Sequence, residues 1–353
     1  MRTLIALLLF ALSCAQAGEL PTYQPRPGHE RPIIAVIGDS VSTEITDFLI
    51  PYGVLQRADA AQVLAVAVEG ASIAMNTGVR VLPDLDMAAF DQRYPEGADY
   101  VIVPAMRRAQ YEPMLAWLKA QAAKGASVVS ICDGALVVAN SGLLDGRRGT
   151  AHWATHDHRV EKYRATEWLS NVRFVADGKM ISSAGISAAL PVSLALVEAI
   201  AGQPKAAAVG ASLGVSDWSS KHDSGSYAPK FGRNLNVWLT HFTDQWFHSP
   251  RAVGLPVSAG FDEIALAYTS DAYTRTHRNR VLTVAADNAP LASRHGLKLL
   301  PDRVVGGSET PAAMLPAGDS TLHQVLARIA AEFGERTAHR IALEFEYPGY
   351  PAQ

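Results

Sequence analysis

The run Ser127-Val-Val-Ser-Ile-Cys132-Asp-Gly134-Ala-Leu-Val-Val-Ala139 constrains this chain more than any other stretch. Its first part is valine-rich and uncharged, the pattern of a strand buried on both faces, and from Gly134 onward it is an apolar helix. Cys132 therefore falls on the sharp turn between strand and helix, the geometry of a nucleophile elbow. A side chain there is pushed out of the sheet at the carboxyl end of a strand, facing the free N–H groups and the positive dipole end of the following helix. Both effects favour a thiolate over a thiol, whose ordinary pKa is about 8.5. The competing reading is an inert core cysteine, since free cysteine is among the most buried residue types.

The segments before the elbow alternate in the same way. Residues 32–37 form a buried strand stopped by Gly38-Asp39-Ser40, and a helix over residues 43–56 carries Glu44 and Asp47 near its start. Residues 63–68, 79–82 and 100–103 are further strands, the last ending at Pro104-Ala105-Met106, and residues 111–124 are helical. Buried strands alternating with helices make an α/β fold, here a flavodoxin-like parallel sheet covered on both faces. Ligands of such sheets sit at the carboxyl ends of the strands, the end that Cys132, Ala105 and the acid-bearing helix share. Beyond the elbow, Asp177-Gly178 marks a hairpin over residues 172–182. Helices follow at 190–201 and 205–213, then a polar stretch leading to an amphipathic helix at 238–246.

The amino terminus reads as an address. Met1-Arg2, an apolar run from Leu4 to Leu12 and Ala15-Gln-Ala17 have the order of a secretory signal peptide, residues 1–17, with cleavage after Ala17. The expected location is periplasmic or secreted. A lipoprotein anchored at Cys14 is the alternative, but Ala11-Leu-Ser13 fits a lipobox poorly. Cleavage leaves Cys132 as the sole cysteine, an unpaired thiol in an oxidising compartment, which favours a use for it. It also leaves 30 basic against 34 acidic residues, a formal charge of −4 with no footprint for nucleic acid or an acidic membrane surface.

The chain matches itself. Residues 63–84 run parallel to residues 281–302 at a constant offset of 218 without a gap, and Glu44-Ile45 corresponds to Glu263-Ile264 within one residue of that offset. The second copy has no elbow strand and no cysteine, and Leu266 stands near the place of Asp47. The domains expected are a catalytic-type unit at 30–215, a linker and helix at 216–250, and a degenerate second α/β copy at 251–350. That copy serves packing or shapes the mouth of the first.

The run from Ser130 through Cys132-Asp133-Gly134 to Thr150-Ala-His152-Trp153, together with residues 180–188 and Thr43-Glu44-Ile-Thr-Asp47-Phe48, resembles the ThiJ/PfpI superfamily, which has a class I glutamine-amidotransferase-like fold. The likeness covers roughly residues 30–215 and is nearest to the branch holding isonitrile hydratases and the sensor domains of AraC-type regulators. It implies that Cys132 is the nucleophile and that Asp47 hydrogen-bonds its sulfur, as a protonated acid or as the general acid/base. Glu44, one turn earlier, is the other candidate for that role. Both acids also suit a plain helix start, where they meet the dipole. The sequence departs from the family pattern at Asp133, whose charge disfavours a thiolate, and at Pro104-Ala105-Met106, where the family has Pro-Gly-Gly. Main-chain N–H groups of Ala105 and Asp133 remain the oxyanion donors the resemblance implies. His152 polarises the thiol, orients a water, or is a structural histidine bonded to backbone. Trp153 walls the pocket or packs.

The chemistry this suggests is an exported cysteine-dependent hydratase or hydrolase acting on a small carbon electrophile, with no cofactor, no metal motif, no nucleic-acid partner and no membrane span. The alternative is a non-catalytic periplasmic ligand-binding or redox-sensing protein derived from AraC-type sensor domains without DNA binding. The expected assembly is a monomer with pseudo-dimeric lobes, or a homodimer.

Overall fold

Every residue of Ile33–Gly38 is buried, and a chain with no side chain to give to water settles there only as a strand covered on both faces. In the computed structural model it is β1, followed by α1 (Ile45–Ala58), β2 (Gln62–Ala67), β3 (Ile73–Ala74), β4 (Arg80–Leu82), β5 (Leu85–Asp86) and α2 (Met87–Arg93). Then come β6 (Tyr100–Val103), α3 (Glu112–Ala123), β7 (Ser127–Ser130), α4 (Gly134–Asn140), β8 (Arg148–Gly149), α5 (His156–Lys162) and β9 (Glu167–Trp168). The hairpin β10 (Phe174–Asp177) and β11 (Met180–Ser183) precedes α6 (Ala189–Ala201) and α7 (Gln203–Ser212). A second region holds β12 (Arg251–Pro256), α8 (Glu263–Thr274), β13 (Asn279–Ala285), β14 (Leu291–Ala292), β15 (Lys298–Leu300), β16 (Arg303–Val304), α9 (Leu322–Phe333) and α10 (Glu335–Glu344). The structure describes residues 19–26, 29, 31–230, 234–235, 237–240, 246, 248–318 and 320–350. The segment read as a signal peptide lies outside them, as does part of the helix expected at 238–246.

The main sheet has seven strands in the order β10-β11-β7-β6-β1-β2-β5. All neighbours are parallel except β10, which returns antiparallel on β11. This is the flavodoxin-like α/β fold, and it brings the ends of β1, β6 and β7 together. The second region is also α/β, with a parallel three-stranded sheet in the order β12-β13-β16. The two regions share a four-stranded sheet, β14-β15-β4-β3, in which β15 pairs antiparallel with β4. They also meet where α1 packs on α6 and α8. That double packing explains why α1 is apolar nearly all round. Phe48, Leu49 and Ile50 are wholly buried, each contributing about 1.5–3 kcal/mol.

Equivalent hydrogen bonds recur at the 218-residue spacing. Ala65 N–H donates to Asp84 Oδ2 at 2.8 Å, and Thr283 N–H donates to Asp302 Oδ2 at 2.9 Å. Met75 N–H donates to the Val79 carbonyl at 2.8 Å and Ser293 N–H to the Leu297 carbonyl at 2.7 Å. In both regions the aspartate closes the same parallel crossover, β2 to β5 and β13 to β16.

Candidate active site

Cys132 stands between β7 and α4 with φ 54, the left-handed region that a residue with a side chain seldom enters. Such a conformation costs about 1–3 kcal/mol and persists only where its surroundings enforce it. Here Ile131 N–H donates to the Val103 carbonyl at 3.0 Å and Gly134 N–H to the Ile131 carbonyl at 2.8 Å, so the turn is pinned to β6. Gly134 makes the approach possible: a Cβ there would lie 2.0 Å from the Val103 carbonyl oxygen. Cys132 is 6% exposed.

Asp47, in the first turn of α1, has no exposed surface. Its Oδ2 accepts the Ala105 N–H at 3.1 Å, while Glu44 N–H donates to the Ala105 carbonyl at 2.9 Å. Both main-chain groups of Ala105 thus fasten the end of β6 to the start of α1. The second oxygen, Oδ1, is buried and makes no hydrogen bond among the described residues. Burial first, then the charge of Glu44, raises Asp47 well above the carboxylate range, with Asp133 and Asp271 adding to the effect and the Ala105 N–H opposing it. Burial likewise pushes the Cys132 thiol up, followed by Asp47, Asp133 and Glu44; a hydrogen bond from the Asp133 N–H offsets part of this. Burial and the neighbouring acids therefore favour the protonated form of both groups, thiol and carboxylic acid. Asp133 takes a hydrogen bond from Thr155 Oγ1 at 2.7 Å, and Thr155 Oγ1 takes one from Arg159 Nη1 at 2.7 Å.

The profile of the DJ-1/PfpI family matches residues 33–199. Isonitrile hydratase of Pseudomonas putida is 32% identical over 160 residues, 44% of this chain and 67% of that protein. The chain belongs to the DJ-1/PfpI family. An HTH-type transcriptional regulator of Pseudomonas aeruginosa is 36% identical over 90 residues, 26% of each chain. The crystal structure of Drosophila melanogaster DJ-1beta superposes with a TM-score of 0.48 and 24% identity, covering 53% of this chain and all of that one.

Within this DJ-1/PfpI unit the geometry revises several roles. The thiolate expected from the helix dipole gives way to a thiol, because α4 has only seven residues and cannot offset lost hydration beside acidic neighbours. The implied bond from Asp47 to the sulfur is absent; Asp47 bonds Ala105 instead, which occupies the Ala105 N–H expected to serve an oxyanion. Asp133 does offer its N–H at the sulfur. Glu44 faces outward to Arg275 Nη2 at 3.1 Å and Asn76 Nδ2 at 2.8 Å, leaving Asp47 as the acid on the Cys132 side. His152 Nε2 is 2.8 Å from the Glu344 carbonyl and its Nδ1 accepts the Ala154 N–H at 3.1 Å, so both ring nitrogens are engaged by backbone. Trp153 packs edge-on against Trp238 at 5.3 Å and walls a cavity of about 390 Å³ with Thr150, Arg159 and Asn171.

Three contributors lay beyond sequence reasoning. Arg159, 2% exposed, lies close enough to Asp133 and Cys132 to feel their charge. Arg108 grips Asp39 with Nε and Nη2, at 2.9 and 2.6 Å, and ties the loop after β1 to the loop after β6. Glu346, fully buried with φ 52, enters from the end of the second region; its Oε1 accepts the Trp153 N–H at 3.1 Å. Gly185 was its one available signal, since a Cβ there would come 2.4 Å from Glu346 Oε1.

Proposed function

We propose that this chain is an exported cysteine-dependent enzyme, hydratase- or hydrolase-like, that adds Cys132 to a small carbon electrophile: an isonitrile, an aldehyde or an acyl group. One observation carries the reading. A cysteine on a left-handed elbow stands in the same buried cluster as Asp47, whose Oδ1 has no partner. A buried carboxyl pushed toward its protonated form, with that oxygen unpartnered, is suited to general acid/base work.

For an isonitrile, Asp47 donates its proton to the terminal carbon, the Cys132 sulfur bonds to that carbon, and the thiol proton returns to Asp47. The product of this step is a thioimidate. Water then adds to the same carbon and the C–S bond breaks, giving a formamide and the free thiol. The Asp133 N–H and the charge of Arg159 are placed to stabilise negative charge that develops near the sulfur. Kinship with an isonitrile hydratase supports this choice of first substrate.

We further infer that residues 251–350 are a shortened copy of the first unit. The hydrogen bonds repeated at the 218-residue spacing support this reading.

The test is turnover by the purified chain on a panel of isonitriles, aldehydes and thioesters. Cys132→Ala is expected to abolish it, and Asp47→Asn to reduce it roughly 10²–10⁴-fold. Turnover unchanged in Cys132→Ala would overturn the reading. Saturable binding without turnover, indifferent to Cys132→Ala, would favour the ligand-binding alternative.

A further inference from the structure

Arg159 is a cation that the fold takes out of water, 2% exposed, in the unit that carries Cys132. Its Nη1 donates to the His152 carbonyl and to Thr155 Oγ1, the latter at 2.7 Å, and its guanidinium carbon lies 5.1 Å from the centre of the Trp168 ring. One nitrogen and one face thus hold the group in place. Nε is buried without a partner, and Nη2 makes no hydrogen bond among the described residues. Nε–H and Nη2–H are the two parallel donors on one edge of a guanidinium, the fork that a carboxylate meets with both oxygens. No acid of the described residues lies within ion-pair distance, and Asp133 is reached only through Thr155. A buried donor left unmet costs about 1–3 kcal/mol, and more when it is charged, so an unused edge on a buried cation calls for an acceptor.

The same side chain lines the cavity of about 390 Å³ beside Trp153, a volume within the range of roughly 300–1,000 Å³ common for small-molecule sites. Trp153 has a buried indole N–H that also lacks a partner among the described residues, and Leu169 and Ala228 add apolar wall. Asp157, which is exposed, lines the cavity too, and the charges of Asp133 and Glu346 bear on Arg159. Those acids disfavour a second negative charge on the ligand, and the apolar wall favours an organic body over a hydrated inorganic ion. We propose that this cavity binds an organic monocarboxylate on the Nε–H and Nη2–H of Arg159, and that the electrophile brought to Cys132 carries that carboxylate. Arg159 lies close enough to Cys132 for their charges to interact, so one small molecule can span the two. The second half of the proposal rests on the function proposed above; the first half does not.

Isothermal titration calorimetry of the purified chain and of Cys132→Ala compares acetate, benzoate and phenylacetate with acetamide, benzamide and phenylacetamide. At least one acid should bind about tenfold or more tightly than its amide, as expected of a charge-assisted bidentate contact. Arg159→Gln should abolish that preference. Ala228→Trp, which sets an indole on the cavity wall, should weaken the acid by a similar factor. Inorganic phosphate at equal concentration should not displace it. A panel in which no acid is preferred to its amide overturns the proposal, as does displacement by phosphate or a preference unchanged in a folded Arg159→Gln. Where Arg159→Gln does not fold, Ala228→Trp carries the test, and acid binding that this variant leaves unchanged overturns the proposal.

Turnover separates this site from the proposed chemistry. Between electrophiles that differ only in bearing a carboxylate or a carboxamide, the acid should have the higher kcat/KM, and Arg159→Gln should remove the difference mainly through KM. A chain that binds acids as described and turns over no electrophile keeps the carboxylate site and loses the chemistry. Equal kcat/KM for acid and amide, with turnover still dependent on Cys132, overturns the link between this cavity and Cys132 and leaves the chemistry standing.

Discussion

Glu346 Oε2 lies 2.5 Å from His222 Nε2, a carboxylate at the end of the second region gripped by an imidazole from the segment that joins the two regions. Ser187 adds two bonds, Oγ to the Glu346 carbonyl at 2.7 Å and N–H to the Phe345 carbonyl at 2.8 Å. The tail after α10 is thereby seated against β11 and its following turn, beside His152 and Trp153.

This pair makes stability depend on pH. Burial alone would raise Glu346, but the His222 hydrogen bond, the charges of His152 and His222 and the Trp153 N–H outweigh it and lower its pKa. A folded-state value below the unfolded one, about 4.3, gives stability that is present above that pH and lost as pH falls through the folded value. Glu346→Ala should therefore cost about 3 kcal/mol at pH 7, with the gap to the intact chain closing under acid. Urea denaturation between pH 7 and pH 3 measures it; a gap constant across that range would show that the carboxylate charge is not what matters.

Cys132 should alkylate slowly at neutral pH. Burial and the acids beside it place its titration above the ordinary thiol value of about 8.5. Replacing a like charge by a neutral side chain lowers a thiol pKa, so Asp133→Asn and Asp47→Asn should each move the profile down by about one pH unit. Iodoacetamide kinetics across pH 6–11 decide this. A thiolate already formed below pH 7 would restore the helix-dipole expectation.

Gly134→Ala puts a methyl group 2.0 Å from the Val103 carbonyl oxygen, a main-chain atom that cannot swing aside. The elbow must then part from β6. The expected loss is at least about 2 kcal/mol, read as a fall in the denaturation midpoint, together with loss of any Cys132-dependent activity. A variant of full stability would mean that the elbow tolerates more room than its hydrogen bonds suggest.

Export is tested by the amino terminus of the protein recovered from a bacterial periplasm. Cleavage after Ala17 predicts that it begins at Gly18. A chain that retains Met1, or one lipidated at Cys14, contradicts that proposal.

Much of the first unit was legible because its signals are local. Valine-rich runs, the Gly134 that lets α4 approach β6, and the Asp177-Gly178 turn between β10 and β11 each act within a few residues. The roles of polar groups were not legible in the same way. Ala105 and Asp47 are 58 residues apart, and nothing near either says that the N–H expected to hold an oxyanion would be taken by the acid. Nor does the local sequence around His152 foretell that the Glu344 carbonyl, 192 residues on, would occupy its Nε2.

By itself, the sequence determined the alternation of strands and helices, the elbow that sets Cys132 at the carboxyl end of the sheet, and the family, because periodicity and turn chemistry are properties of neighbouring residues. Tertiary structure alone decided in which direction the titrations of Asp47, Asp133 and Cys132 move. Protonation depends on hydration lost and on charges brought close, and here those come from both regions: Asp47, Asp133 and Glu44 from the first, Asp271, Arg275 and Glu346 from the second.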